Sequence, residues 1–295
     1  MDTKNPRTSG SLTYLSKAEI LSFATTRIES KTATGISTGS GFFFEYFRGH
    51  SSGKSLTVIA TNKHVVEGSL GGHFTVTIAG PNGMPDVGRF LRVPLPTIHS
   101  KVNWIPHPDA DIDLAVLPIG PFIGMAHAQG VVPYISTLTT ADIALEEDLK
   151  LVAQAEPVMM PGYPQGIWDP QNNQPIFRRG FCATHPALKY AGGQEFLVDI
   201  ECQPGSSGSP VLLMDCGEWR DKWGDRHEGD RIKLLGVLYA GFMQTAEGEI
   251  VEAPIPVASR MIAGVQVPIG LAKCVASSAL RDFEKLFPDI DAMIF

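Results

Sequence analysis

The run Gly205-Ser206-Ser207-Gly208-Ser209-Pro210 is the stretch of this 295-residue chain best suited to chemistry. A serine between glycines, followed by a small residue and proline, suits a tight turn that exposes a hydroxyl. The glycines let backbone N–H groups approach a developing negative charge with no Cβ in the way. Alone, such a Gly/Ser/Pro cluster is also an ordinary loop. Two further segments change its weight. In Val58-Ile59-Ala60-Thr61-Asn62-Lys63-His64-Val65-Val66, a β-branched stretch runs into a polar turn and delivers a histidine at its end. In Asp109-Ala110-Asp111-Ile112-Asp113-Leu114-Ala115-Val116-Leu117, acidic residues lead into a strand that reads as buried, so one carboxylate falls where protein begins to exclude water. Taken singly, these are a strand-closing histidine and a solvated acidic loop. Together, in the order His, Asp, Ser, they supply a nucleophile, a base and a carboxylate to fix the base's tautomer, the set that hydrolysis through a serine needs.

At these residues the chain resembles the chymotrypsin-like serine peptidases, and particularly their bacterial glutamyl-endopeptidase-like branch. The matching pieces are Gly39-Ser40-Gly41-Phe42-Phe43-Phe44, Thr61-Asn62-Lys63-His64-Val65-Val66, Asp113-Leu114-Ala115-Val116, Gly162-Tyr163-Pro164, the serine run, and Leu235-Gly236-Val237-Leu238-Tyr239-Ala240-Gly241. They stand in family order across most of the chain. The resemblance implies a double β-barrel peptidase with Ser207 as nucleophile and His64 as general base and then acid. Asp113 would hold the His64 tautomer, with Asp111 as the fallback. The N–H groups of Gly205 and Ser207 would form an oxyanion hole, worth roughly 3–4 kcal/mol per donor. Tyr239, Ala240 and Gly241 would line the primary pocket and pair with substrate as an added strand.

The departures from the family pattern carry information too. Animal trypsin-like enzymes place an aspartate before the nucleophile to pair with a freed N-terminus; here Ser206 stands there, and that switch is missing. Glutamyl-specific members read the substrate carboxylate with a histidine and a threonine at positions that fall on Leu238 and Cys202, so glutamate specificity is not supported. Glu201 falls where trypsin-like members place the carboxylate that reads Lys or Arg. A strand side chain turned outward is the alternative there, because neighbours alternate faces.

Thirty glycines and 22 prolines punctuate many short Val/Ile/Leu/Phe runs, which favours an all-β architecture over α/β. The expected class is all-β, a chymotrypsin-like double β-barrel with short helices at both ends. Residues 1–27 read as a tail and a short helix, opened by a Ser16–Glu19 capping box and running to about Arg27. The first barrel spans 28–125 with His64 and Asp113, a connector 126–150, and the second barrel 151–276 with Ser207. A helix over 277–295 places Leu280, Phe283, Leu286 and Phe287 on one face. Two insertions stand out. Met214 to Lys233 is charged and carries Trp219 and Trp223, a partner or substrate contact or simple self-packing; Trp168 to Arg179 suits a wall or lid of the cleft.

A net charge of −7 without a Lys/Arg cluster argues against nucleic acid, and no stretch approaches the roughly 20 apolar residues of a membrane span. The four cysteines match no zinc spacing, and neither metal nor organic cofactor is expected. The polar stretch Met1 to Gly10 has no apolar leader core, which points to the cytoplasm, or to secretion if the sequence is a mature or trimmed form. The leading reading is a serine endopeptidase acting on protein or peptide substrates through an acyl-enzyme. Against it stand a latent or inactive binding module on the same scaffold, and an esterase using the same three groups. With no leader and with Ser206 in place, such a protease is expected to be restrained by narrow specificity or by an activating or regulatory protein partner.

Overall fold

Two β-structures share a core, to which the strand that leads to His64 and the strand that follows Ser207 both contribute. The computed structural model describes residues 15–51, 53–97, 103–250 and 261–287. The first structure is an eight-stranded sheet made of β1 (Thr25–Thr32), β2 (Gly35–Tyr46), β3 (Leu56–Thr61), β4 (Gly72–Ala79), β5 (Pro85–Pro94), β6 (Ile105–Pro106), β7 (Ala115–Pro118) and β8 (Leu138–Thr139). Its strand order is β5-β4-β1-β2-β3-β7-β6, with β8 paired in parallel to β2. The second uses β9 (Pro157–Gly162), β10 (Ile176–Cys182), β11 (Glu195–Asp199) and β12 (Pro210–Asp215). After the small hairpin β13 (Glu218–Arg220) and β14 (Arg226–Glu228), it is completed by β15 (Arg231–Ile250) and β16 (Met261–Ala276). These six close as a barrel in the order β10-β11-β16-β15-β12-β9. The chain adopts the expected all-β class, and its closed barrel plus a further sheet is consistent with the expected chymotrypsin-like double β-barrel.

Strand alternation explains how the two halves are joined. Successive side chains of a strand point to opposite faces. Phe42, Phe44 and Tyr46 of β2 and Val58 and Ala60 of β3 therefore enter a shared core with Leu212, Leu234, Val237 and Val275 of the barrel. Phe43 and Ile59, on the other face, pack with Phe74, Val76 and Leu117 inside the first sheet. On β12 the same division sends Leu212 to the shared core and Val211 and Leu213 to the barrel interior beside Val158, Phe196 and Cys274. Phe44 is fully buried, and truncating such a ring to alanine costs about 3–5 kcal/mol.

The helices are short. The capping box forms as expected, Glu19 Oε2 accepting from Ser16 N at 2.7 Å and Ser16 Oγ from Glu19 N at 3.3 Å. Yet α1 (Lys17–Ser22) stops well before Arg27. The β-branched Thr25 and Thr26 pair with Phe42 and Gly41 instead, and Thr26 Oγ1 donates to Thr75 O at 2.8 Å. The remaining helices are α2 (Lys63–Val66), α3 (Gly120–Ala128) and α4 (Glu146–Lys150). The closing segment is a 3-10 helix, Ser277–Leu286, that buries Leu280, Phe283 and the following Phe287 but leaves Leu286 exposed. The first 14 residues of the expected tail and the end of the 277–295 helix beyond 287 lie outside the described residues. Among the described residues no helix is long and apolar enough to cross a membrane.

Candidate active site

His64 is presented by a single helical turn. Strand β3 is buried from Val58 to Thr61, Asn62 extends the backbone before the turn, and Val65 and Val66 plug back into the core, which turns the His64 ring outward. The fit behind Val65 is tight: a Cβ at Gly39 would lie 2.4 Å from its Cγ1. The acidic segment is tied to the same turn. Asn62 Nδ2 donates to Asp113 O at 2.7 Å, and Lys63 Nζ to the carbonyls of Asp109 and Ala110 at 2.9 and 3.1 Å. Asp113 then meets His64 twice, Oδ1 accepting from the backbone N–H at 3.2 Å and Oδ2 lying 2.5 Å from ring Nδ1. Asp111, the alternative in the sequence, is exposed and donates its own N–H to Asp109 Oδ1. Burial pushes the Asp113 carboxyl up. The His64 ring N–H, the His64 charge and the His64 and Lys63 backbone N–H groups outweigh that, so its pKa stands below the ordinary aspartate value.

Ser207 sits in a loop held from several sides. Ser206 N donates to Gln203 O and Ser209 N to Ser206 O, which closes two small turns around it. Gly208 N donates to Leu238 O at 2.8 Å and Leu238 N to Ser209 O at 3.0 Å, fastening the loop to β15. Gly208 has φ +87° and a Cβ there would lie 1.9 Å from Ser40 O, so only glycine fits. The Ser207 hydroxyl donates to Tyr239 O at 3.3 Å; among the described residues no hydrogen bond joins it to His64.

Two residues that the sequence did not single out for a role, Ser40 and Gln165, hold this loop. Ser40 N donates to Ser207 O at 2.9 Å, while Ser40 Oγ donates to Gly205 O at 2.8 Å and accepts from Tyr163 N at 2.9 Å. Gln165 N donates to Pro204 O at 2.5 Å, which fixes the plane of the Pro204–Gly205 peptide and turns its N–H the other way. Among the described residues neither the Gly205 nor the Ser207 N–H donates to a protein acceptor. Gln165 makes its contact with φ +51°, a strained value for a side-chain-bearing residue. The signal for Ser40 was present, since it stands between two glycines in the quoted motif. Gln165 has no such mark.

The residues expected at the primary pocket fall close together in part. Cys202 is buried and faces Gly241, whose Cβ would lie 3.1 Å from its Sγ. Burial raises the pKa of the Cys202 thiol. Ala240 and Gly241 pair with Lys273 and Ala272 on β16. The Tyr239 hydroxyl reaches away from Ser207 and donates to Glu195 Oε1 at 2.6 Å; burial and that carboxylate raise the phenol's pKa. Glu201 is exposed, and its carboxylate pairs with Arg178 Nη1 at 3.0 Å, so its charge is already met from within the chain. A cleft of about 550 Å³ beside the site is lined by His64, Asp113, Trp104 and Pro106.

Both insertions pack on the protein itself. Trp168 lies edge-on to Phe90 at 5.5 Å, with the Arg27 guanidinium 5.7 Å over its ring, and Asn173 Nδ2 donates to Thr77 Oγ1 at 3.0 Å. This segment is a wall fixed to the first sheet. Trp219 is sandwiched between His227, stacked at 4.1 Å, and the Arg231 guanidinium at 4.4 Å; Trp223 is 67 % exposed.

A profile of the trypsin-like peptidase domain matches residues 39–219. No curated protein matches the sequence. Among solved structures, the chain is similar to a serine endoprotease from Yersinia pestis, with 16 % identity and a TM-score of 0.47 over 91 % of this chain and 64 % of that one. It is also similar to the HtrA-type protease AlgW with tripeptide (15 % identity, TM-score 0.46, 90 % of this chain and 60 % of that one). A third is tobacco etch virus protease complexed with product (10 % identity, TM-score 0.42, 79 % and 73 %). The chain thus spans less than two thirds of the first two of these proteases.

Proposed function

The chain belongs to the trypsin-like peptidase domain family, and we propose that it is a serine endopeptidase whose nucleophile is Ser207. The observation that carries this reading is the pinned loop: Ser207 stands at its tip beside two N–H groups that have no acceptor among the described residues, while His64 and Asp113 are already paired. With Nδ1 donating to Asp113, the His64 Nε2 lone pair is free to accept the Ser207 proton. Ser207 Oγ then attacks the substrate carbonyl carbon, and the carbonyl oxygen takes the charge toward the Gly205 and Ser207 N–H groups. His64 returns the proton to the leaving amine as the C–N bond breaks, leaving an acyl ester on Ser207. Water, deprotonated by the same imidazole, hydrolyses that ester and restores the serine.

The Ser207–Tyr239 bond favours a second reading, a latent form in which substrate or a partner must first turn the hydroxyl toward His64. Apo sites often hold such bonds loosely and tighten them only in the complex. Ser206, in the place of the family's aspartate, accepts from Gln203 N at 3.3 Å, so its turn closes locally without a freed N-terminus. That supports an isolated chain that is active. The resemblance to the glutamyl-endopeptidase-like branch stays at the level of motifs, since Leu238 and Cys202 offer no charged group to a glutamate side chain.

The test is labelling with a fluorophosphonate beside a Ser207→Ala control, with the adduct located by mass spectrometry. Adduct on Ser207 alone supports the endopeptidase, and turnover of peptides as well as esters separates it from an esterase. Absence of adduct in the folded chain overturns the active form and leaves the latent one.

A further inference from the structure

Strand β15 runs far beyond the barrel it helps to close. Its partner on one edge, β12, leaves it at Val237, whereas β15 continues to Ile250, paired on the other edge with β16 as far as Met261. Among the described residues nothing pairs with the free edge from Tyr239 to Ile250, a length of about 35 Å at the rise of a strand. The same holds for the outer edge of β16 from Met261 to Ile269, since β11 and Ile200 reach only to Gly270. A two-stranded ribbon is marginal alone in water, and a third strand stabilises it.

Among the described residues, the two edges of the first sheet are blunted. Edge strand β5 has proline at both ends and carries Arg89 and Arg92; the opposite edge, β6, is two residues long and contains Pro106. Natural sheets use such prolines, charges and short strands to prevent unwanted pairing. Outer strand β16 carries Pro268 within its free stretch. The stretch Tyr239-Ala240-Gly241-Phe242-Met243-Gln244-Thr245-Ala246 has no proline and no charge, and no Lys, Arg or Pro occurs before Ile250.

This edge begins at the nucleophile. Leu238 exchanges hydrogen bonds with Gly208 and Ser209, and Tyr239 O receives the Ser207 hydroxyl. A leaving amine must sit at His64, on the first sheet, so the acyl side of a substrate extends the other way, onto β15. Resting on the endopeptidase reading, we propose that the β15 edge from Tyr239 to Ile250 is an extended docking strand for unfolded polypeptide. It would pair through the main chain with some ten residues on the amino side of the cleaved bond, about the number that fits 35 Å. Main-chain pairing reads extension and length more than side-chain identity. The favoured substrate is therefore an unfolded or unstructured segment with a long amino-side extension.

The experiment uses peptides derived from a reduced, alkylated protein, with about three, six and nine residues on the amino side of one bond. Binding is measured by fluorescence anisotropy on the Ser207→Ala chain, and kcat/KM on the wild type. A second protein replaces residues 245–266 by Asn-Gly, which suits a two-residue hairpin between the paired Gln244 and Val267. Affinity and kcat/KM should rise at least about tenfold from the shortest to the longest peptide, through the added main-chain bonds. The shortened arm, which keeps Tyr239 to Gln244, should lose the part of that rise beyond about six residues while turning over a p-nitrophenyl ester as before. N-methylation of alternate amino-side residues should remove the gain in one phase of the alternation. A rise that stops by the fourth residue, or a six-to-nine step that survives arm shortening, overturns the proposal. So does a concentration-dependent dimer that the shortened arm abolishes, which assigns the edge to a second copy. If neither ester nor peptide is cleaved, the endopeptidase reading fails, and the binding series still decides the edge.

Discussion

Ser40 donates its hydroxyl to the carbonyl of Gly205 at 2.8 Å, across the seam between the first sheet and the loop that carries Ser207. The same oxygen accepts from Tyr163 N, and the Ser40 backbone N–H donates to Ser207 O. One buried residue on β2 therefore holds two segments of the second half, the Gly205–Ser207 loop and the turn at Tyr163.

Ser40→Ala removes both side-chain bonds and leaves the buried Tyr163 N–H without its acceptor. The expected cost is about 1–3 kcal/mol of stability, the penalty for a buried unpaired donor. Because the loop that loosens carries Gly205 and Ser207, kcat should fall more than KM rises. Denaturant unfolding and steady-state kinetics on one preparation check both halves; an unchanged kcat would mean that Ser40 only packs.

Gly205 is held at φ +92°, and a Cβ there would lie 2.7 Å from Tyr163 O and 3.0 Å from Gln165 N, both backbone atoms that cannot swing aside. Gly205→Ala should displace the Pro204–Gly205 peptide and misplace its N–H. Losing one such donor costs about 10²–10³ in kcat. Fluorophosphonate labelling of Ser207 should slow in parallel, with far-UV circular dichroism unchanged.

Much of this site could be read before any coordinates. His64, Asp113 and Ser207 announce themselves because each stands where an apolar strand meets a polar turn, and strand periodicity is local. What could not be read is what depends on tertiary contact. Gln165 supports the Pro204–Gly205 peptide only because Pro164 and Gly166 bring its backbone against a loop distant in sequence. The reach to Arg27 misplaced the end of α1, since a good capping box says where a helix starts and nothing about the strand that claims Thr25. The residues of the Trp219 insertion gave no sign that Arg231 would sit on the ring while pairing with Glu156 and Asp215.

That arginine gives a stability prediction. Arg231 and Glu156 are 9 % and 4 % exposed, and their side chains are hydrogen-bonded to each other. Arg231→Ala strands a buried carboxylate and should destabilise the fold by about 3–5 kcal/mol, while replacing both partners by apolar residues, Arg231→Met with Glu156→Leu, should recover most of it. Thermal unfolding of the single and double variants reads the difference.

The thiols provide a check on the barrel interior. Cys182, Cys202 and Cys274 are buried and Cys216 is exposed. Burial pushes the Cys182 thiol up to about 12 and raises those of Cys202 and Cys274. In the native protein a thiol reagent at neutral pH should react quickly at Cys216 alone, because the thiolate is the reactive form. Denaturant should release the other three. Fast reaction at Cys202 would show that the wall beside Gly241 opens to solvent.

The pairing of Asp113 with His64 fixes the direction of a pH effect on stability. The Asp113 carboxyl is lower in the folded chain than an ordinary aspartate, despite the opposing effect of burial. A group depressed on folding stabilises the fold above its unfolded value, near 4 for aspartate, and that contribution is lost as pH falls through the lower folded value. Asp113→Asn abolishes the titration but keeps the shape. Between about pH 6 and pH 3 the wild type should therefore lose more unfolding temperature than Asp113→Asn, and the two curves should converge at the acid end. The variant should also lose kcat at neutral pH by as much as about 10⁴-fold, because an amide at this position can favour the wrong imidazole tautomer. Parallel acid profiles would show that the His64–Asp113 contact contributes nothing to folding, whatever it does for the serine.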